Sequence, residues 1–295
     1  MISIIISSAD PQQLLQVTES IEVTIGVPFE IIAIGNRDGN KGICEVYNSG
    51  IKQAKYDMLC FMHEDILFRT DSWGKQVLNF FAENPCYGLL GVGGSEYKSL
   101  APSGWNPTGI ETAYINMVQH FKYKQQDPFH YYKNPGEKGF AAVACVDGVW
   151  FCTPKTIAAE VMFDEVTFKG FHAYDLDFSL SVGRKYKVGV TFNVLIDHFS
   201  EGNYDEDWIK ATLDLHKKWN AYLPINLKPV SKKQLLHAEK ATFKFFTDQL
   251  IYWGFPKRVA FEMLYYNNHF FKLSPKLFFK LHFTILKKYR KAQIL

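Results

Sequence analysis

Apolar residues in the first third of the chain fall into short blocks of strand length, separated by stretches with helical spacing. Residues 2–7 are a β-branched run and predict a buried strand. Asp10 and Pro11 break that run and open a helix, since Pro is tolerated in a first helical turn. Leu14, Leu15 and Val17 carry the helix toward residue 24. Pro28 restarts the chain, and residues 29–34 read as a second strand. Turn formers fill 35–39, and 41–55 return to helical spacing through Ile43, Val46, Tyr47, Ile51 and Ala54. A third apolar run, 58–62, has the composition of a strand buried on both faces, and it stops abruptly at His63-Glu64-Asp65. The alternation βαβαβ predicts an α/β fold, with a mostly parallel sheet flanked by helices.

Further along, 72–83 predict a helix capped by Asp71 or Ser72, and 87–92 a strand. The glycine cluster in 91–95 reads as a tight turn. Residues 96–139 are polar, aromatic and rich in Gly and Pro, and read as a long loop of the kind that forms binding lids. Two short strands, 141–146 and 149–152, bend at Gly148. A helix starts at 172–180 with Asp175 and Asp177 in its first turns, where the helix dipole favours anions. Residues 188–196 read as a strand that ends in Asp197-His198, and 205–222 as a helix. From Ser231 the texture changes to three aromatic, basic helical segments, broken at Gly254-Phe255-Pro256 and Ser274-Pro275. The expected division is a catalytic domain over 1–222 and a helical region over 223–295.

Composition narrows the classes. The 295 residues are 47% hydrophobic and 16% aromatic, which excludes a disordered chain, and a net charge of +3 gives no footprint for nucleic acid. Five cysteines, odd in number and without a CxxC pair, fit reduced thiols in a cytoplasmic protein. The opening apolar run lacks the basic flank and length of a signal peptide, and no apolar run reaches transmembrane length, so a soluble or peripheral protein is expected.

Candidate chemistry gathers where apolar runs end. Two adjacent carboxylates, Glu64 and Asp65, repel each other unless a cation sits between them, which suggests a divalent-metal site handling a phosphorylated ligand. A dinucleotide site would need GxGxxG after the first strand, and Ser7-Ser8-Ala9-Asp10 stands there instead. Glu64-Asp65, Asp175 and His198 then follow in the order carboxylate, base, imidazole.

This order resembles the GT-A glycosyltransferases of the family 2-like group. KGICEVYNSGIKQAKYDMLCFMHEDILF resembles the family's helix leading to a strand and a DxD-type metal motif. VDGVWFCTPK resembles its acceptor-side strand pair, FHAYDLDFSLSVGRKYKVGV the helix that holds the catalytic base, and DHFSEGN the late strand end that supplies a His. The resemblance covers roughly residues 1–222. It implies a GT-A, Rossmann-like fold with a C-terminal helical appendage, a nucleotide-sugar donor, a glycan or lipid-linked acceptor, Mn²⁺ or Mg²⁺, and the inverting chemistry of polysaccharide biosynthesis. It assigns Asp175 as base and Asp65 and His198 as metal ligands. Ser8, Asn36, Asp38, Asn48, Glu64 and Asp65 fall on the donor side, and Trp105, Asp147 and Gly148 on the acceptor side.

Three positions depart from the family pattern. His63 stands at the first DxD acid, Gly35-Asn36 in place of Asp-Asp, and Tyr174 in place of the Glu before the base. His63 by itself reads as a loop histidine, His172 as packing, Asp177 as a helix-turn charge and Trp150 as core. The alternatives are a degenerate GT-A domain that binds without turnover and a metal-dependent nucleotidyltransferase. The tail 277–295 mixes apolar and basic residues at helical spacing. It fits packing on the catalytic domain or a dimer contact, and also a peripheral contact at the inner face of an anionic membrane.

Overall fold

The computed structural model describes residues 1–292. The last three positions of the tail, 293–295, lie outside the described residues. By contacts the chain divides into two compact units: Met1–Glu96 with Ala113–Gly202, and Tyr97–Thr112 with Asn203–Leu295. A segment from within the first 222 residues thus belongs with the C-terminal helices, so the contact division does not coincide with a cut after residue 222.

The first unit opens as the periodicity predicts: β1 (Ile2–Ser8), α1 (Pro11–Thr24), β2 (Phe29–Gly35), α2 (Ile43–Gln53) and β3 (Met58–Met62). Asp10 accepts the N–H groups of Gln12 and Gln13, and Pro11 takes the first helical position. Then follow β4 (Ile66–Phe68), α3 (Trp73–Glu83), β5 (Tyr87–Gly91) and β6 (Gly93–Ser95). Ser72 precedes α3 in the left-handed region (φ 56°) and makes no side-chain cap bond. After the excursion into the second unit, which contains β7 (Tyr97–Lys98), come β8 (Ala113–Gln119), β9 (Phe129–Lys133), β10 (Phe140–Val143), β11 (Cys145–Val146), β12 (Trp150–Pro154), α4 (Lys155–Val161), α5 (Tyr174–Val182), β13 (Lys187–Thr191) and β14 (Ile196–His198).

A seven-stranded sheet runs β10-β13-β5-β12-β3-β1-β2. β12 and β10 pair antiparallel with their neighbours and the other strands share one direction, so the sheet is mostly parallel. All five residues of β3 are buried, as a strand covered on both faces requires. A second sheet runs β11-β6-β8-β14-β4, with β9 added to β8. The chain passes between the two sheets at 63–65, at Val92, at Ala144 and over 192–195, and crosses back at 147–149.

Those crossings overturn three expectations. The glycine cluster is not a turn. It is a strand crossing, and a Cβ on Gly94 would meet the Cys145 carbonyl oxygen at 2.5 Å, so the glycine is there for close strand approach. Residues 96–139 are not one loop, because Ala113–Gln119 is an inner strand of the second sheet. Residues 188–196 are two strands in different sheets.

In the second unit, β7 pairs antiparallel with β15 (Ile225–Asn226). Its helices are α6 (Glu206–Trp219), α7 (Lys232–Tyr252), α8 (Lys257–Tyr265), a 3₁₀ turn at Tyr266–Asn268, α9 (His269–Leu273) and α10 (Pro275–Ala292). Ser231 and Gln234 close a capping box on α7. The breaks at 254–256 and 274–275 are as expected. A further break comes at Asn267 and Asn268, both with positive φ, which asparagine tolerates. Among the described residues no helix is long and apolar enough to cross a membrane.

This unit buries a polar network. Lys98 Nζ donates to Ser103 O (2.6 Å), Ser103 Oγ (2.9 Å) and Gly104 O (3.0 Å), and lies 3.0 Å from His216 Nε2. His216 Nε2 accepts the Ser103 N–H, so its proton sits on Nδ1, 3.2 Å from Leu100 O. Burial, with Lys98 beside it, holds His216 well below the ordinary histidine range. Glu239 accepts from Tyr97 Oη and from the N–H groups of Leu100 and Ala101. Burial raises its carboxyl, and those donors and Lys98 oppose the rise.

Candidate active site

The polar residues that end β3 occupy the crossing from the first sheet to the second. The chain bends at Glu64 and Asp65, between β3 and β4, and the bend turns the Asp65 carboxylate back toward the His63 ring. His63 N–H is fixed by the Val149 carbonyl (3.0 Å), which ties this crossing to the one at 147–149. β14 lies antiparallel to β4 with His198 opposite Ile66, and Phe199 N–H donates to Asp65 O (2.9 Å). The pairing delivers His198 to the same place. His63 Nδ1 lies 3.8 Å from Asp65 Oδ1, and His198 Nε2 3.8 Å from Asp65 Oδ2. One donor atom from each of His63, Asp65 and His198 lies within 4.8 Å of the others.

The electrostatics suit ligation. Burial alone would raise the Asp65 carboxyl, but His63, His198 and the Ser200 hydroxyl (2.6 Å) together hold it below its ordinary range. Burial lowers His198, against the pull of Asp65. A carboxylate and a neutral imidazole are the protonation states that bind metals. Asp65 Oδ1, His198 Nδ1 and Glu64 Oε2 are all buried without a hydrogen-bond partner. An unmade buried bond costs about 1–3 kcal/mol per group, and the orphaned Asp65 Oδ1 lies 3.8 Å from His63 Nδ1, where a bound species can satisfy it. The nitrogen and carboxylate donors fit a divalent cation.

His63 was read from sequence as a loop histidine, and the structure corrects this. Its Nε2 lies 2.8 Å from Tyr174 Oη, whose hydroxyl donates to Gly148 O at 3.1 Å. With the tyrosine proton on Gly148 O, His63 Nε2 donates to the Tyr174 oxygen, and Nδ1 is the ring nitrogen that faces Asp65. His63 and Tyr174 are two of the three departures from the family pattern, and they bond to each other. A Cβ on Gly148 would stand 2.2 Å from Tyr174 Oη and 3.2 Å from Asp175 Cβ. Glycine is therefore what lets the start of α5, with half-buried Asp175, close over the 147–149 crossing. Asp147 Oδ1 accepts the Val149 N–H (2.8 Å) and shapes that crossing. Asp177 is only 2% exposed, which removes it as a base for an entering substrate.

The other residues singled out from sequence sit as follows. Glu64 Oε1 accepts the N–H groups of Ala9 and Asp10, both at 2.8 Å, and fastens the turn after β1. Ser8, at the end of β1, gives its carbonyl to Asn36 N–H (2.7 Å). Asn36 brackets Lys41 through Nδ2 to O (2.8 Å) and Oδ1 to N–H (3.1 Å), and Asp38 is exposed in the loop so closed. Asn48 is buried and braces Phe163 and Glu165. Its amide is spent on that loop. Trp105 lies half-buried in the segment that belongs to the second unit. Trp150 is fully buried core, and His172 packs against Phe171. Asp197 points away into a structural pair. Arg69 grips it twice (2.6 and 2.9 Å) and His120 once (2.6 Å), which fixes β14 behind His198. A cleft of about 430 Å³ opens beside Glu64 and Asp65, lined also by Gln13, Gln16, Ile66, Leu67 and Phe199.

The chain aligns with the crystal structure of S. aureus TarS 1–349 at 11% identity and TM-score 0.46, covering 99% of this chain and 91% of that one. It aligns with GalNAc-T7, solved with UDP, GalNAc and Mn²⁺, at 10% identity and TM-score 0.51, covering 85% of this chain and 56% of that one. No curated protein matches the chain. The fold is that of the GT-A glycosyltransferases. A family model described as "Glycosyltransferase like family" matches residues 1–222, and the chain belongs to that family.

Proposed function

We propose that the protein moves a sugar from a nucleotide-sugar donor to a hydroxyl of a glycan or lipid-linked acceptor, with inversion and with a divalent cation. The observation that carries this reading is the convergence of His63, Asp65 and His198, with Asp65 Oδ1 left without a partner. Those three residues would hold the cation, and two imidazoles with one carboxylate favour Mn²⁺ over Mg²⁺. When bound, the cation offsets the negative charge that grows on the leaving diphosphate.

The chain's own residues do the rest. Asp175 takes the proton from the acceptor hydroxyl as that oxygen bonds to the anomeric carbon. The bond from that carbon to the diphosphate oxygen breaks, and a nucleoside diphosphate leaves. One base and an in-line attack give inversion. Glu64 holds the turn after β1, where Ser8, Asn36 and Asp38 form the donor side, and residues 1–222 form the catalytic segment. Asp147 and Gly148 shape the acceptor side. GalNAc-T7 was solved with UDP and Mn²⁺, and the same ligand classes are expected here. The free cysteines, four of them buried, fit a reducing cytoplasm.

The test is a thermal-shift panel of UDP, GDP, dTDP and CMP with and without Mn²⁺, followed by product analysis. One nucleotide that stabilises only with Mn²⁺, with nucleoside diphosphate as product, supports the reading. Pyrophosphate release would make it a nucleotidyltransferase. Binding without turnover across a donor panel would make it a binding module.

A further inference from the structure

We infer that the solvent face of α10 docks on an anionic phospholipid surface. Helix α10 packs within its own unit through Leu277, Leu281 and Ile285, which are buried. With about 3.6 residues per turn, Phe279, Phe283 and Leu286 line up on the opposite side. They are 54%, 65% and 43% exposed. An isolated exposed phenylalanine is ordinary, but an exposed stripe of three large apolar residues on one helix, continued on α9 by the 43% exposed Phe271 against Phe279, is not.

The charge beside the stripe says what covers it. Lys276, Lys280 and Lys287 flank it along one edge, and all three are exposed. Residues 223–295 carry 14 Lys and Arg against 3 Asp and Glu, which leaves 19 against 27 for residues 1–222. The near-neutral chain is therefore strongly polarised, +11 in one part and −8 in the other. An apolar stripe edged by lysines, on a helix too polar to cross a bilayer, is the pattern of a helix lying in the membrane interface. Anionic headgroups attract such lysines additively, while the aromatic rings enter the acyl boundary. This inference does not depend on the donor or on the metal, and binding alone reads it out.

The experiment is co-sedimentation of the full chain with phosphatidylcholine–phosphatidylglycerol vesicles against pure phosphatidylcholine vesicles. Binding should be at least about tenfold stronger to the anionic vesicles and should weaken as NaCl rises. Phe279→Ser with Phe283→Ser should cut it by about tenfold or more, since the rings supply the apolar part. Lys280→Glu with Lys287→Glu should remove the preference for phosphatidylglycerol. All four positions are exposed, so melting and donor turnover should stay unchanged. Absence of binding to the anionic vesicles would overturn the inference, as would variants that bind like the parent. Self-association that Phe279→Ser abolishes, without vesicle binding, would assign the stripe to a second copy of the chain and equally overturn it.

Discussion

Two clusters that combine imidazole and carboxylate, one buried and one half-buried, behave in opposite ways in this protein. In the second unit, Lys98, His216 and Glu239 are enclosed, and their partners are backbone and side-chain groups of that unit. At the end of β3, His63, Asp65 and His198 stand 3.8 Å apart in pairs, too far for hydrogen bonds, with buried atoms left over. The first cluster is complete without any ligand. The second leaves Asp65 Oδ1 and His198 Nδ1 without partners. Imidazole and carboxylate are common to both, and the leftover atoms set the second apart.

The largest effect should come from removing the central carboxylate. Asp65→Ala should lower metal-stimulated transfer or donor hydrolysis by about a thousandfold or more, and chelation should do the same to the native protein. Asp175→Asn should leave nucleotide binding intact and cut transfer by about 10²–10⁴-fold, and surviving transfer would remove Asp175 as the base. Tyr174→Phe frees His63 Nε2 and should weaken Mn²⁺ binding by about 10–100-fold, measured by titration. An unchanged affinity would show that the bond to Tyr174 does not orient His63.

Stability should respond in the reverse order. Glu239→Ala strands three buried donors and should cost about 3 kcal/mol in denaturant unfolding of the second unit. Asp65→Asn in metal-free protein should cost no more than about 1 kcal/mol, because one of its oxygens has no partner to lose. Equal costs would erase the contrast. The smallest effect is in pH. His216 is held below its ordinary value of about 6.5 in the folded protein, so below that pH the unfolded chain binds the proton more readily. Its contribution is therefore intact above about pH 6.5 and lost as pH falls from there. Melting temperatures from about pH 8 to about pH 5 should fall for the native chain and fall less steeply for His216→Gln.

Much of this was legible in the sequence because local signals agreed. Asp10-Pro11 marked a helix start, the 58–62 run marked a buried strand, and the order Asp65, Asp175, His198 marked the family. What stayed hidden depended on contacts between distant residues. The glycines at 91–95 read as a turn because close strand packing and turn formation ask for the same residue. Ala113–Gln119 is an inner strand, but its polar, Pro-bearing surroundings masked it. His63 looked unremarkable alone. Its spacing of two from Asp65 was the available signal, and its bond to Tyr174, 111 positions away, was not readable from one sequence. Ser200, which donates to Asp65, was likewise visible only in space.

The central claim is that His63, Asp65 and His198 form a cation site, and direct titration of the purified protein with Mn²⁺ tests it. The account predicts one bound Mn²⁺ per chain, lost in Asp65→Ala and His198→Ala and retained in His216→Gln. Binding that survives both site substitutions, or no binding by the native chain with or without nucleotide, would contradict it.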